Sequence, residues 1–357
     1  MLRLTILLLA SAILIACTVV TMNAKLEIKS VKKSTAQKEL GHLLFFDRRL
    51  SYDLSKSCSS CHDPLLAFSD GYKVSFNNNA EALLRNSPTL LNINERQSFN
   101  WANSKITTLR QQMQRPLFNI HPIELGLIGH EKIILRRFQI DSNYKKIYSD
   151  CYHIGIQNIT TDDIIEAISS YILNLQSRNS RYDQFLSIKD STLLNGEEWL
   201  GFNLFNSDSI GCGTCHGGKD FFEPIRGRQF ANIGLYNCNN SYPASDLGLQ
   251  EEDNDSNYNG VFRIPTLRNI SLTAPYYHDG SEESLQQVIL NYERGGRIII
   301  QGSCAGDGNL HPNKDGRLQS FTLDEKKRNS IISFLNTLTD TTYLQNPIFR
   351  NPFENKD

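Results

Sequence analysis

The chain has 357 residues, with 37 Lys and Arg against 38 Asp and Glu, 39% hydrophobic and 21% charged. At about 150 residues per domain, this length fits roughly two domains. The balanced charge excludes a binder driven by electrostatic attraction to nucleic acid, the composition excludes wholesale disorder, and a single strongly apolar run excludes a polytopic membrane protein.

That run, Leu4 to Ile15 after Arg3, has the length of a signal-peptide apolar region and is short of the roughly 20 residues that cross a bilayer. It ends in Leu14-Ile15-Ala16-Cys17, which resembles the lipobox of bacterial lipoproteins, where the Cys is diacylated and becomes the new N-terminus. Residues 1–17 are therefore read as an export signal with a lipobox Cys, and 18–34 as a tether. The expected location is the periplasm, with membrane attachment only through a lipid anchor. Thr18, rather than Asp, after the Cys favours the outer membrane.

Further along, Gly41-x-x-Leu44-Phe45 leads into Cys58-Ser59-Ser60-Cys61-His62. Thr160-x-x-Asp163 opens a helix with Ile164, Ile165, Ile168, Tyr171, Ile172 and Leu175 on one face. Asn195-x-x-Glu198 opens another, in which Gly201-x-x-Leu204-Phe205 repeats the earlier lead-in and precedes Cys212-Gly213-Thr214-Cys215-His216. The stretch 217–275, rich in Asn, Gly, Asp and Ser, reads as long loops. Ser284 to Tyr292 reads as a helix with Leu285, Val288, Ile289 and Tyr292 on one face. Thr322-x-x-Glu325 is expected to open a last helix carrying Ile331, Ile332, Phe334, Leu335 and Leu338.

Four of the eight cysteines define the chemistry. Cys58, Cys61 and His62, and again Cys212, Cys215 and His216, form C-x-x-C-H, the attachment pattern of c-type haem. Two thiols one turn apart reach the two vinyl groups of one porphyrin edge as thioethers, and the adjacent His ligates the iron. A zinc ribbon would hold its two C-x-x-C pairs about 15–20 residues apart, whereas these lie 154 apart. Two covalent c-type haems are expected. The fold class is then mainly α: two cytochrome c-like haem domains with long irregular loops, over 35–180 and 190–345. With Cys17 also set aside, one disulfide is possible among Cys151, Cys238 and Cys304. Cys238–Cys304 is favoured because both lie in loops of one domain, leaving Cys151 as a buried or free thiol.

The motifs supply one axial ligand each. The only methionines are Met1, Met22 and Met113, so the second haem has no Met in its own domain, and its other ligand is His278, His311 or a Tyr. No His lies between His62 and His121, so the first haem lacks a distal His in the loop after its motif. An open iron face points to catalysis rather than to electron transfer alone.

Six further blocks follow in order over about 40–340: Leu44-Phe45-Phe46-Asp47-Arg48-Arg49-Leu50-Ser51, Arg85-Asn86-Ser87-Pro88-Thr89-Leu90-Leu91-Asn92, His121-Pro122-Ile123-Glu124-Leu125-Gly126, Asn232-Ile233-Gly234-Leu235-Tyr236-Asn237, Phe262-Arg263-Ile264-Pro265-Thr266-Leu267-Arg268-Asn269 and Thr273-Ala274-Pro275-Tyr276-Tyr277-His278-Asp279-Gly280. Together they resemble the bacterial di-haem cytochrome c peroxidase/MauG family. The resemblance implies a high-spin N-terminal haem that reacts with hydrogen peroxide and a low-spin C-terminal haem that passes electrons. It implies Glu124 as the distal acid–base group, Gln112 and Pro116 as its neighbours, and Trp101 between the haems. Trp101-Ala102-Asn103-Ser104 stands where the family has Trp-Asp-Gly-Arg. It further implies one Ca²⁺ held by the Asn86 side chain and the carbonyls of Thr273 and Pro275.

Within the family, peroxidases carry a Met fourteen residues after the His of Pro-Tyr-x-His, and the MauG branch carries a Tyr there. Here the position is Tyr292. The resemblance therefore implies Tyr292 as the iron ligand opposite His216, and His278 as a partner of a haem propionate. The Trp that serves MauG in drawing electrons from its partner protein would fall near Ile210, and Trp199 is too far upstream to match, so methylamine dehydrogenase maturation is not implied. The implied function is an exported di-haem peroxidase fed by a periplasmic donor such as a cytochrome c, a cupredoxin or another reductant. The alternatives are a MauG-like oxidase of a protein or small molecule, and a pure electron-transfer di-haem cytochrome.

Overall fold

The computed structural model describes residues 34–225 and 227–354, so the export signal, Cys17 and nearly all of the tether lie outside the described residues. Helices dominate: α1 (34–46), α2 (Leu109–Phe118), α3 (Glu131–Gln139), α4 (Ser142–Tyr152), α5 (Thr161–Ile172), α6 (Arg181–Ile188), α7 (Gly196–Phe205), α8 (Cys212–Cys215), α9 (Gln250–Asp253), α10 (Leu285–Glu293) and α11 (Glu325–Asn336). The strands of the described residues are two-residue pieces in two antiparallel pairs. Phe230–Ala231 (β1) pairs with Phe262–Arg263 (β2), and Ile298–Ile299 (β3) with Gly306–Asp307 (β4). Long loops joined by short 3-10 turns make up the rest, as expected for 217–275.

The helix starts follow their caps. The Thr160 hydroxyl accepts from the Asp163 N–H while the Asp163 carboxylate accepts from the Thr160 N–H, and Asn195 and Glu198 do the same at α7. Ser284 caps α10. The last helix differs from the sequence reading: Asp324, not Thr322, is the cap, accepting from the Lys327 N–H. Thr322 is unsuited because its neighbours are drawn to the end of α10, where Phe321 N–H donates to the Glu293 carbonyl and Leu323 N–H to its carboxylate.

Two cores form. Leu40, Leu44 and Phe45 of α1 meet Ile164, Ile168 and Tyr171 of α5 in the first. Phe205 of α7, Ile289 of α10 and Ile331, Phe334 and Leu335 of α11 make the second. The repeated Gly explains the repeated lead-in. A Cβ on Gly41 would lie 1.9 Å from the Ala167 carbonyl oxygen, and one on Gly201 would lie 1.8 Å from that of Ser330. Each glycine lets a lead-in helix cross its partner in backbone contact. Beyond α11 the chain returns to the first core, where Tyr343 and Phe349 are buried and the Tyr343 hydroxyl donates to the Pro64 carbonyl at 2.7 Å. A third cluster of Ala102, Leu235, Tyr242 and Phe262 packs with Trp101, Tyr236 and Tyr277.

Cys238 and Cys304 are joined in a disulfide, the pairing favoured from the sequence, which fastens the loop after Leu235 to the turn between β3 and β4. Cys151 is buried in α4 outside that bridge.

Candidate active site

Two cavities lie along the chain, each built on one C-x-x-C-H segment. The first is lined by Cys58, Cys61 and His62, and the second by Cys212, Cys215 and His216. A 3-10 turn over Cys58–Ser60, and α8 in the second case, place the two thiols one turn apart with the His immediately after.

Both histidines are oriented alike. His62 Nδ1 lies 2.9 Å from the Phe68 carbonyl oxygen and His216 Nδ1 lies 3.0 Å from that of Phe221. A carbonyl only accepts, so Nδ1 carries the proton and donates, and Nε2 keeps its lone pair for a metal. Burial pushes both imidazoles below their ordinary pKa, which holds them neutral.

A repeat not noticed in the sequence braces each His loop: Pro88-Thr89-Leu90-Leu91-Asn92 and Pro265-Thr266-Leu267-Arg268-Asn269. Thr89 Oγ1 donates to the Ala67 carbonyl and Thr266 Oγ1 to the Asp220 carbonyl, each just before the residue that holds its His. Asn92 and Asn269 are both left-handed, with φ of 57° and 58°. Pro-Thr-Leu-x-Asn, once after each C-x-x-C-H motif, was the available signal.

The first cavity is also lined by Gln112 and Pro116, one turn apart on α2, and by Glu124 from the loop after it. That loop is fastened to the helix end. Leu125 N–H donates to the Pro116 carbonyl at 3.0 Å and Leu127 N–H to the Leu117 carbonyl at 2.9 Å. Burial pushes the Glu124 carboxyl up to about 7, opposed in part by nearby Lys56. Gln112 Oε1 accepts from Asn100 Nδ2 at 3.1 Å. Met113 also lines this cavity, but it belongs to the buried stripe Leu109, Met113 and Leu117 of α2.

The second cavity collects Tyr292, His278 and Trp101. Tyr292 stands on α10, as its spacing from Leu285, Val288 and Ile289 predicts, and all four line the cavity. Burial pushes its phenol well above the usual range. His278 stacks on Phe262, with ring centroids 3.5 Å apart and planes at 12°. Burial pushes it down to about 4, so it is neutral. His311, the other His candidate for the second haem, is turned away. Its ring nitrogens face Asn232 and Asn259 at 3.1 Å each, and it does not line the cavity.

Trp101 lines the second cavity. Its Nε1–H donates to the Asn86 carbonyl at 2.9 Å, the Arg263 guanidinium lies 5.2 Å from its ring, and the preceding Asn100 holds Gln112 of the first cavity. Asn86 donates its side-chain N–H to the Tyr72 carbonyl at 2.9 Å and its backbone N–H to the His278 carbonyl at 2.7 Å. Thr273 and Pro275 lie in the segment leading to His278.

Two arginines that sequence reading missed test the fit of a cofactor. Arg96 lines the first cavity and Arg263 the second, and both are buried. Among the described residues neither pairs with a carboxylate, and Arg96 Nε and Arg263 Nη2 have no hydrogen-bond partner. A buried guanidinium without a counter-charge is costly. A haem carries two propionates on the edge opposite its vinyl groups, so one haem in each cavity supplies the missing acceptors. The thiols, the oriented His and the orphaned guanidinium fit that group twice over.

Known proteins agree with this duplicated plan. The model for the family described as di-haem cytochrome c peroxidase matches residues 35–191. The cytochrome c551 peroxidase of Nitrosomonas europaea is 30% identical over 315 residues, spanning 87% of this chain and 83% of that protein. The methylamine utilization protein MauG of Methylophilus methylotrophus is 27% identical over 302 residues, spanning 84% of this chain and 81% of its own length. A crystal structure of a MauG-like protein associated with microbial copper homeostasis superimposes with a TM-score of 0.84 at 36% identity, over 89% of this chain and 93% of that one. With two cavities, each lined by a C-x-x-C-H segment, and these relatives along most of its length, the chain belongs to the di-haem cytochrome c peroxidase/MauG family and is a peroxidase-like oxidoreductase with two c-type haems.

Proposed function

We propose that the chain reduces hydrogen peroxide in the first cavity, with electrons drawn through the second. The observation that carries this reading is the asymmetry of the two sites. The cavity that holds His62 is also lined by a carboxyl and an amide, Glu124 and Gln112; the one that holds His216 is also lined by a phenol, Tyr292. Haem bound through Cys58 and Cys61, and through Cys212 and Cys215, would supply redox-active iron held by His62 and by His216. Arg96, Arg263 and His278 would hold its propionates.

Glu124 takes a proton from one peroxide oxygen and delivers it to the other, which leaves as water. A group poised near neutrality can do both. Gln112, fixed by Asn100, offers its amide N–H to the peroxide and orients it. Trp101 carries the electron between the sites. The Asn86 side-chain oxygen and the carbonyls of Thr273 and Pro275 are hard donors suited to one Ca²⁺. The two halves, 35–180 and 190–345, act as cytochrome c-like domains, and Cys17 tethers the protein by lipid to the outer membrane on its periplasmic side. A cytochrome c, a cupredoxin or another reductant supplies the electrons.

The test is the ferric spectrum of the haem-loaded protein, followed by peroxide turnover with each class of donor. A high-spin component with turnover is expected. A purely low-spin spectrum without turnover means an electron-transfer cytochrome. The second reading, a MauG-like oxidase, is favoured by Tyr292 and gains if peroxide oxidises a partner protein or small molecule without any separate donor.

Tyr292→Phe tests the ligand assignment. An anionic phenolate stabilises oxidised iron, so its loss is expected to change the low-spin signal in electron paramagnetic resonance and raise the reduction potential of the second haem. The diferric wild type is expected to react with peroxide without prior reduction. An unchanged low-spin signal in the variant would remove Tyr292 from the iron.

A further inference from the structure

A branch of aromatic side chains leads out from the lining of the second cavity. Phe262 and His278 line the cavity and stack on each other. The Tyr242 ring lies 5.9 Å from Phe262, and the Tyr236 ring 5.6 Å from Tyr242, centroid to centroid. These rings share one cluster with Trp101. At the end of the branch, half-buried Tyr236 donates its hydroxyl to Asp279 Oδ2 at 2.6 Å.

The phenols along this branch are not equivalent. Tyr242 donates to the Asn232 amide oxygen, and Tyr277 to the Val288 backbone carbonyl at 3.5 Å. Neither acceptor can take a proton. Tyr236 alone among them rests on a carboxylate. Arg297 lies 4.5 Å from the Tyr236 ring and is fixed there, its Nε donating to the Leu235 carbonyl and its Nη1 to Ser281. A cation over a ring opposes a second positive charge on it, so loss of an electron from Tyr236 is favoured when its proton leaves with it.

We propose that Tyr236 is a redox-active side chain that gives one electron toward the second cavity and its phenolic proton to Asp279. The proposal rests on the peroxidase reading above, in which peroxide is the oxidant. Reduction of one peroxide to two waters leaves the protein short of two electrons. Tyr236 supplies one of them: its O–H bond breaks, the proton passes to the Asp279 carboxylate, the electron fills one of the two vacancies, and a neutral phenoxyl remains. An external one-electron donor then reduces the phenoxyl while the proton returns from Asp279; a second donor electron fills the other vacancy, and two protons from solvent complete the two waters, which closes the cycle.

The experiment is freeze-quench electron paramagnetic resonance of the haem-loaded full chain after peroxide, with ordinary and ring-deuterated tyrosine, alongside the optical spectrum. The wild type should give a radical whose hyperfine structure collapses on deuteration, and Tyr236→Phe should lose it while the haem optical response to peroxide remains. Asp279→Asn keeps the ring and removes the proton acceptor. It should lower the radical yield and abolish the solvent deuterium isotope effect on decay of the oxidised state, which simple loosening of the loop would leave in place. An optical response with the same radical in Tyr236→Phe, or an unchanged isotope effect in Asp279→Asn, overturns this proposal alone. A wild type with no optical response to peroxide overturns the peroxidase reading and this proposal with it.

Discussion

Glu124→Gln should slow the reaction with hydrogen peroxide by about 10²–10⁴-fold, the ordinary worth of one positioned acid–base group. The amide keeps the shape of the carboxyl but can neither take nor return the peroxide proton. The pH profile makes the prediction specific. A base must be unprotonated, so the wild-type rate should climb as pH rises through about 7, where burial has moved this carboxyl. The variant should be flat over the same range. The stability argument runs the opposite way. Glu124 titrates higher in the folded chain than its ordinary 4.5, so the stability it contributes is present at low pH and lost as pH rises through about 7. Gln escapes that loss, so the variant should unfold no more readily than the wild type at alkaline pH, and its slow reaction cannot be ascribed to unfolding. Stopped-flow rates across the pH range decide it, and a wild-type rate in the variant would remove Glu124 from the chemistry.

Gly201→Ala is the largest expected effect on stability. Two terms oppose each other. In an open helix, Ala in place of Gly gains about 1 kcal/mol. At this position the new Cβ would fall 1.8 Å from the Ser330 carbonyl oxygen and 2.9 Å from the Phe334 Cβ. Backbone cannot yield as a side-chain tip can, so α7 and α11 must part, loosening Phe205 and Phe334. Overpacking costs about 1–3 kcal/mol and sometimes more; a clash this close with backbone takes the upper figure, so against the gain of about 1 kcal/mol a net loss of about 2 kcal/mol is expected. Gly41→Ala should do the same in the first core, against Ala167. Gly196→Ala is the control, because nothing lies within 4 Å of its added Cβ. If denaturant titration shows Gly201→Ala as stable as Gly196→Ala, the backbone crossing is not what the glycine is for.

Much of this was legible because it is local in sequence. C-x-x-C-H is a covalent pattern, and the caps at Thr160 and Asn195 depend on residues three apart. Tyr292 was placed in its cavity by helical spacing from Leu285, Val288 and Ile289. What escaped depends on tertiary packing. Nothing adjacent to Arg96 or Arg263 announces a buried guanidinium; their isolation exists only once the walls of both cavities have closed. His311 looked as available as His278 until Asn232 and Asn259 were seen to hold it. Thr322 and Asp324 are both good caps by type. The choice was made by Glu293, some thirty residues away, which draws Leu323 to it.

The return of the chain end makes the first C-x-x-C-H segment depend on the C-terminus. The Tyr343 ring lies beside Phe68, whose carbonyl orients His62, and the Tyr343 hydroxyl is tied to Pro64. Phe349 packs on the same Phe68 ring. The loop that carries His62 is thus walled by residues almost three hundred positions further along the chain, whereas the second core is finished by α11. Cutting the chain before Tyr343 is therefore a change at the first cavity and not merely at an end.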